Sequence, residues 1–160
     1  MMEAIATKIE LAELIDGLTP SEEVADKLNR LDAILIRGEQ IDCPLEHQFV
    51  DGMYMRERFV PAGTLFTTYT WIHEHPFFHS MGELLIYDVK SASWRHHIAP
   101  SHGITQAGTK RIVYALTDIV WTTCHVNKHN IQDIEELEGY LLEKYDNPYL
   151  SLPELKAIQK

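Results

Sequence analysis

Three imidazoles and one carboxylate stand within seven residues, His73-Glu74-His75-Pro76-Phe77-Phe78-His79, between two apolar, β-rich runs. Histidine is the commonest metal ligand and the side chain that titrates nearest neutral pH. On an unbroken strand His73, His75 and His79 share parity, so their imidazoles point to one side at a spacing that suits an ion. Three histidines admit Zn(II), whereas two of them with Glu74 as the carboxylate favour Fe(II) or Mn(II). His102, Cys124 or His125 from later strands offers a fourth ligand, and water offers an open position. Pro76 cuts across this reading, because proline cannot donate to a ladder and marks an edge or a bulge that would turn His79 away. The same imidazoles serve equally well as hydrogen-bonding groups within the fold, and the sequence leaves both uses open.

Other reactive side chains lack a chemical setting. Ser80, Ser101 and Cys124 have no nucleophile-elbow context, and His96-His97 on a strand project to opposite faces, so the pair cannot chelate one ion together. Trp71, Trp94 and Trp121 alternate with polar neighbours as core aromatics do. The chain of 160 residues, 45% hydrophobic and 24% charged, has the composition of one ordinary globular domain with a sizeable core. Its 14 basic and 24 acidic residues give a formal charge of -10, which opposes phosphate backbones and anionic membranes, so neither nucleic acid nor membrane is an expected partner. Cys43 and Cys124 are too few for a disulfide framework, and Met1 to Thr7 does not read as a secretion signal. A reducing cytosol is the expected setting.

Three segments must position these groups. Residues 1–40 carry helical spacing, first at Ile5, Ile9, Ala12 and Leu14-Ile15, then at Val24, Leu28, Leu31, Ile34 and Leu35 behind the capping box Thr19-Pro20-Ser21-Glu22; this predicts a helical hairpin. Residues 41–127 change to strands with frequent turns: Met53 to Val60 after Asp51-Gly52, Thr64 to Ile72, Phe77 to Val89 broken at Met81-Gly82, Ser93 to Ile98, Ile104 before the Gly108 turn, Arg111 to Ala115, and Ile119 to Val126. Strands without intervening helices predict an antiparallel barrel or sandwich. Residues 128–160 return to helix, with Ile131, Ile134, Leu137, Leu141 and Leu142 on one face and Asn147-Pro148 ending it. The fold class is mainly β, one antiparallel barrel flanked by an N-terminal helical hairpin and a C-terminal helix.

Gly63 to Asp88 followed by Gly108 to Asn127 resembles a cupin, the small jelly-roll barrel with a Gly, His-x-His, Glu, Gly first motif. His73-x-His75 matches it, and His79 stands where the glutamate falls. The second motif keeps Gly108 but carries Arg111 in place of its histidine. More specifically, Pro61-Ala-Gly-Thr64, Glu74-His-Pro-Phe77, Gly108-Thr-Lys-Arg111 and Val120-Trp-Thr-Thr123 before His125 are similar to small cupin-like proteins of tailed-phage genomes. The resemblance implies a barrel with a ligand set only half kept. An inward Arg111 at a ligand position would repel a cation and suit a carboxylate or phosphate, or pair with an internal acid such as Glu57 or Glu83. Two functions follow. One is a non-catalytic cupin-like scaffold or binding module, phage-associated by resemblance, that self-associates or meets other virion proteins in the host cytoplasm or the particle. The other is a small metal-dependent dioxygenase or isomerase, with Fe, Mn or Zn on His73, His75 and His79 and with Glu74 or His125 moving a proton. Glu74, Arg111 and His125 are the expected binding residues around that centre.

Overall fold

Alternation with period two accounts for most of the chain in the computed structural model, which describes residues 22–88, 91 and 93–158. The helix expected on the spacing of Ile5, Ile9, Ala12 and Leu14-Ile15 lies outside the described residues. Two antiparallel sheets result. In the first, β1 (Leu45–Val50), β2 (Met53–Val60), β9 (Ile119–Val126), β4 (His75–Met81) and β7 (Ser101–Thr105) lie side by side in that order. In the second, the order is β3 (Leu65–Thr67), β8 (Arg111–Ala115), β5 (Glu83–Asp88) and β6 (Ser93–Ile98). β1 and β2 form a hairpin that pairs Val50 with Met53 across Asp51-Gly52, the turn the sequence predicts. The expected strands over 53–60, 93–98, 111–115 and 119–126 are observed at those bounds.

Two expected runs change at their ends. The Thr64 to Ile72 run keeps only β3 as strand, because Thr68 N–H donates to Arg111 O and Trp71 then bridges to Leu142, away from the sheet. The run from Phe77 breaks where expected, at Gly82. Its φ is +85°, and an added Cβ would lie 2.0 Å from the Asp118 carbonyl oxygen, so only glycine fits this turn. Pro76 stands at a locally open edge, as expected: it pairs with Ile104 of β7 alone, because the β4–β9 ladder begins at Phe77. The register irregularity falls further on, between His79 and Met81, and His75, Phe77 and His79 all stay buried.

β2 turns Tyr54, Arg56 and Val60 inward, all buried, and leaves Met53 exposed on the opposite face. Val60, Leu84, Ile86, Val113, Ala115 and Ile119 form the apolar core between the sheets. The outer face of the second sheet is covered by helix α1 (Glu22–Arg37), whose Val24, Leu28 and Leu31 pack on Tyr87 and Ile112. Burial of a few such side chains, about 1.5–3 kcal/mol each, holds the helix on the sheet. Asp32, on the same helix, accepts from Thr67 Oγ1 at 2.7 Å and Tyr145 Oη at 2.9 Å and pairs with Lys110. Asn147 Nδ2 donates to Asn29 O at 2.8 Å, so the segment after α2 (Ile134–Leu141) is tied along α1.

The C-terminal helical signal is realised in two pieces. α2 begins where Asp133 accepts from Glu136 N–H at 2.8 Å, and it buries Leu137 and Leu141 against Tyr54 and Trp71. It stops short of the expected Asn147, because Leu142 turns extended to bridge Trp71 and Glu143 N–H donates to Thr70 O. A last helix, α3 (Leu152–Ile158), is linked to α1 by Arg37 and Glu154 at 2.8 Å. Among the described residues no helix is long and apolar enough to cross a membrane.

Candidate functional site

A cavity of about 980 Å³ extends from between the two sheets to α1, with α2 and the segment after it also lining it. Its floor is the apolar core, including Val60, Val113 and Ile119. Above that floor the lining becomes polar and aromatic: Arg56, Arg58, Trp71, His75, Thr105 and Arg111. Every sheet strand that reaches this level delivers its residue by parity alone, since alternate positions of a strand share a face. Acids line it as well: Asp32 and Glu39 from the side of α1, and Glu135, Glu138, Glu143 and Asp146 from α2 and the segment after it.

The histidine run is split by this architecture. His73 and Glu74 precede β4 and are exposed, whereas His75 and His79 sit on its inner face and are 3% and 1% exposed. His75 donates from Nδ1 to its neighbour's carbonyl, His73 O, at 3.2 Å. Its ring lies 4.4 Å from that of His125, which stacks on Trp71 at 3.9 Å between ring centres. His125 Nε2 shares a hydrogen bond with Thr123 Oγ1 at 2.9 Å. His79 is paired across the sheet with Ser101 and rests against Trp121, and among the described residues neither its ring nitrogens nor Ser101 Oγ meets a hydrogen-bond partner. His102 is exposed on the outer face against Phe78, and Cys124 is half-buried on that face.

The expected metal set of His73, His75 and His79 is therefore not gathered. Among the described residues no three of histidine, cysteine, aspartate or glutamate are placed to hold one ion. The physical reason is the turn before β4: the strand begins at His75, so parity no longer extends to His73. The donor chemistry points the same way, because Arg56 and Arg111 both act on His75 and would repel a cation there. The residues present do not fit Fe, Mn or Zn at this position.

Arginine rather than histidine dominates the electrostatics. Arg111 is half-buried, donates from Nη1 to Thr105 Oγ1 at 2.8 Å, and lies over the Phe77 ring at 5.8 Å. Gly103 makes room for that ring, since an added Cβ would stand 2.9 Å from it. Glu57 accepts from Thr122, and Glu83 meets His96. Arg56 is 7% exposed and lies over the rings of Trp71 and Tyr69 at 5.3 and 5.4 Å. Its carboxylate partner, Glu138, is 3.9 Å away, beyond hydrogen-bond reach. Burial pulls the Arg56 guanidinium below its ordinary value, and neighbouring Arg58 adds to the pull.

Burial also keeps the interior histidines neutral. It holds His125 down to about 3, with the charges of His75 and Arg56 adding to the effect. His75 is lowered by burial first, then by Arg111 and Arg56; His79 and His97 are lowered chiefly by burial. The Cys43 and Cys124 thiols are pushed up by burial, away from reactive thiolates.

Sequence reasoning singled out Arg111, which lines the cavity, and His125, which stacks on Trp71 and does not, and it missed Arg56 and Arg58. The signal was present: Tyr54 and Val60 share their parity, and both are core residues.

No family model matches the sequence, and no curated protein matches it. Solved structures do resemble the fold at low identity. A candidate acetylacetone dioxygenase from Methylibium petroleiphilum is 16% identical with a TM-score of 0.46, over 55% of this chain and 64% of that one, so the match spans just under two thirds of its length. A cupin superfamily protein from Desulfitobacterium hafniense is 9% identical with a TM-score of 0.46, over 59% and 85% of the two chains. A cupin 2 conserved barrel domain protein from Salinispora arenicola is 11% identical with a TM-score of 0.45, over 56% and 82%.

Proposed function

We propose that this chain is a non-catalytic, cupin-like binding module that holds a small organic molecule between its sheets. The cavity carries the reading: its part between the sheets sets an apolar floor beneath polar and aromatic side chains, the kind of lining that small-molecule sites have. Among the described residues His75 is the one histidine of its lining, while His125 is stacked on Trp71 and hydrogen-bonded to Thr123. The self-association and virion role implied by the phage resemblance stay outside this reading, which rests on the cavity alone.

Thermal unfolding of the purified chain against a panel of small organic acids, amides, amines and sugars tests it. A ligand present at a hundred times its Kd adds about 2.7 kcal/mol of stability. For a domain of this size that is a rise of about 5–10 °C. A saturable rise without chemical change in the ligand supports the proposal. Conversion of the ligand by the pure chain, or no rise with any class, contradicts it.

A further inference from the structure

We infer that the outer face of the five-stranded sheet docks a second copy of this chain, related to the first by a twofold axis along β9. Among the described residues each helix packs elsewhere: α1 on the second sheet, α2 on Tyr54 and Trp71, and α3 beside α1. Strand parity turns Val50, Met53, Phe78, Met81, Ile104 and Val126 away from the core, and these six are 41–56% exposed. Met55 and Cys124, both half-buried, join them in the middle of the face. No lysine or arginine of the five strands stands on it, since Arg56 and Arg58 face the cavity. Five strands about 4.8 Å apart and about 20 Å long make a face of roughly 24 by 20 Å. A contiguous apolar patch of that size, roughly 500 Å² in projection, marks an interaction site. Two copies stacked through it cover roughly 1,000 Å² together, the size from which a specific interface is recognised.

The strand register selects the occupant. One row crosses the sheet as Glu46, Glu57, Thr122, Phe78 and His102, with the acids toward the β1 margin and the imidazole at the β7 margin. β9 is the middle strand, so a twofold axis along it lays this row over its own reverse. Glu46 then faces His102 of the second copy, and Glu57 faces its Phe78. Glu57 keeps the Thr122 hydroxyl as a donor at 2.8 Å, so its carboxylate is not left bare beneath the ring. Stacked sheets lie about 10 Å apart with their strands within about 30° of each other, which lets such rows meet. A twofold axis across the strands would instead set acid margin against acid margin. An anionic membrane suits the face less well, because its strands offer acids there and no cation.

Analytical ultracentrifugation of the full chain over a concentration series tests the inference, at physiological salt so that the formal charge of -10 on each copy is screened. A species of twice 18.5 kDa is expected at micromolar concentration. Phe78→Glu sets an acid over Glu57 of the second copy, twice per dimer, and is expected to weaken association about a hundredfold. His102→Glu, at an exposed position, is expected to weaken it about tenfold by facing Glu46, whereas His102→Lys preserves it. Urea unfolding confirms that each variant folds, and the His102 pair decides if Phe78→Glu does not. A native chain that stays monomeric, a dimer unmoved by both glutamate variants, or His102→Lys as weak as His102→Glu overturns the inference. A monomer that floats with phosphatidylcholine vesicles overturns it too, and gives the face to a lipid surface.

Discussion

Replacing His125 with phenylalanine should make the protein less sensitive to acid by an amount the structure fixes. Burial holds folded His125 neutral down to about pH 3, whereas the same side chain in the unfolded chain takes a proton near its ordinary 6.5. The unfolded state therefore binds the extra proton between these limits, and stability rises with pH across that window. The contribution is whole above about pH 6.5 and is lost progressively as pH falls toward 3. At pH 5, some 1.5 units below the unfolded value, the loss from this residue is about 2 kcal/mol at 1.36 kcal/mol per unit. The phenyl group of the variant keeps an aromatic ring beside Trp71, where His125 now stacks at 3.9 Å between centres, and has no proton to take. Urea unfolding at pH 7.5 and pH 5.0 reads the difference, since about 2 kcal/mol moves the midpoint by roughly 1 M. The native chain should lose about 2 kcal/mol more than His125→Phe between the two pH values. His75 and His79, lowered in the same direction, steepen both curves alike. Equal losses in the two proteins would refute the reasoning.

Arg56→Met should raise stability by about 1–2 kcal/mol, because the guanidinium is buried with its carboxylate partner at 3.9 Å and an apolar side chain of similar length escapes that cost; a fall in the urea midpoint would contradict it. Asp32→Asn should cost about 3 kcal/mol, since it leaves Lys110 without its buried partner and weakens the ties to Thr67 and Tyr145; thermal unfolding checks this. Gly82→Ala should cost at least about 2 kcal/mol, as the methyl meets the Asp118 carbonyl and the backbone stays at positive φ. Equal stability of Gly82→Ala and the native chain would show that the β4–β5 turn is not held as described.

The fold was largely readable because binary alternation is local. Four strands are observed at the bounds their residues predict, and Asp51-Gly52 and Met81-Gly82 turn the chain where expected. What stayed hidden depends on partners distant in sequence. Leu142 continues a helical stripe but leaves the helix to meet Trp71, which no local pattern records. The histidine run suggested one centre because equal parity was extended past the start of the strand; the turn at His73 breaks it. Arg56 and Arg58 escaped because charged residues on alternating positions read as a solvent face, whereas Tyr54 and Val60 carry that face inward.

A crystal structure of the full chain grown with the small organic molecule that most raises its unfolding temperature tests the central claim most directly. The molecule is predicted to lie between the two sheets, in contact with at least two of Arg56, His75 and Trp121. A molecule seated elsewhere would contradict it.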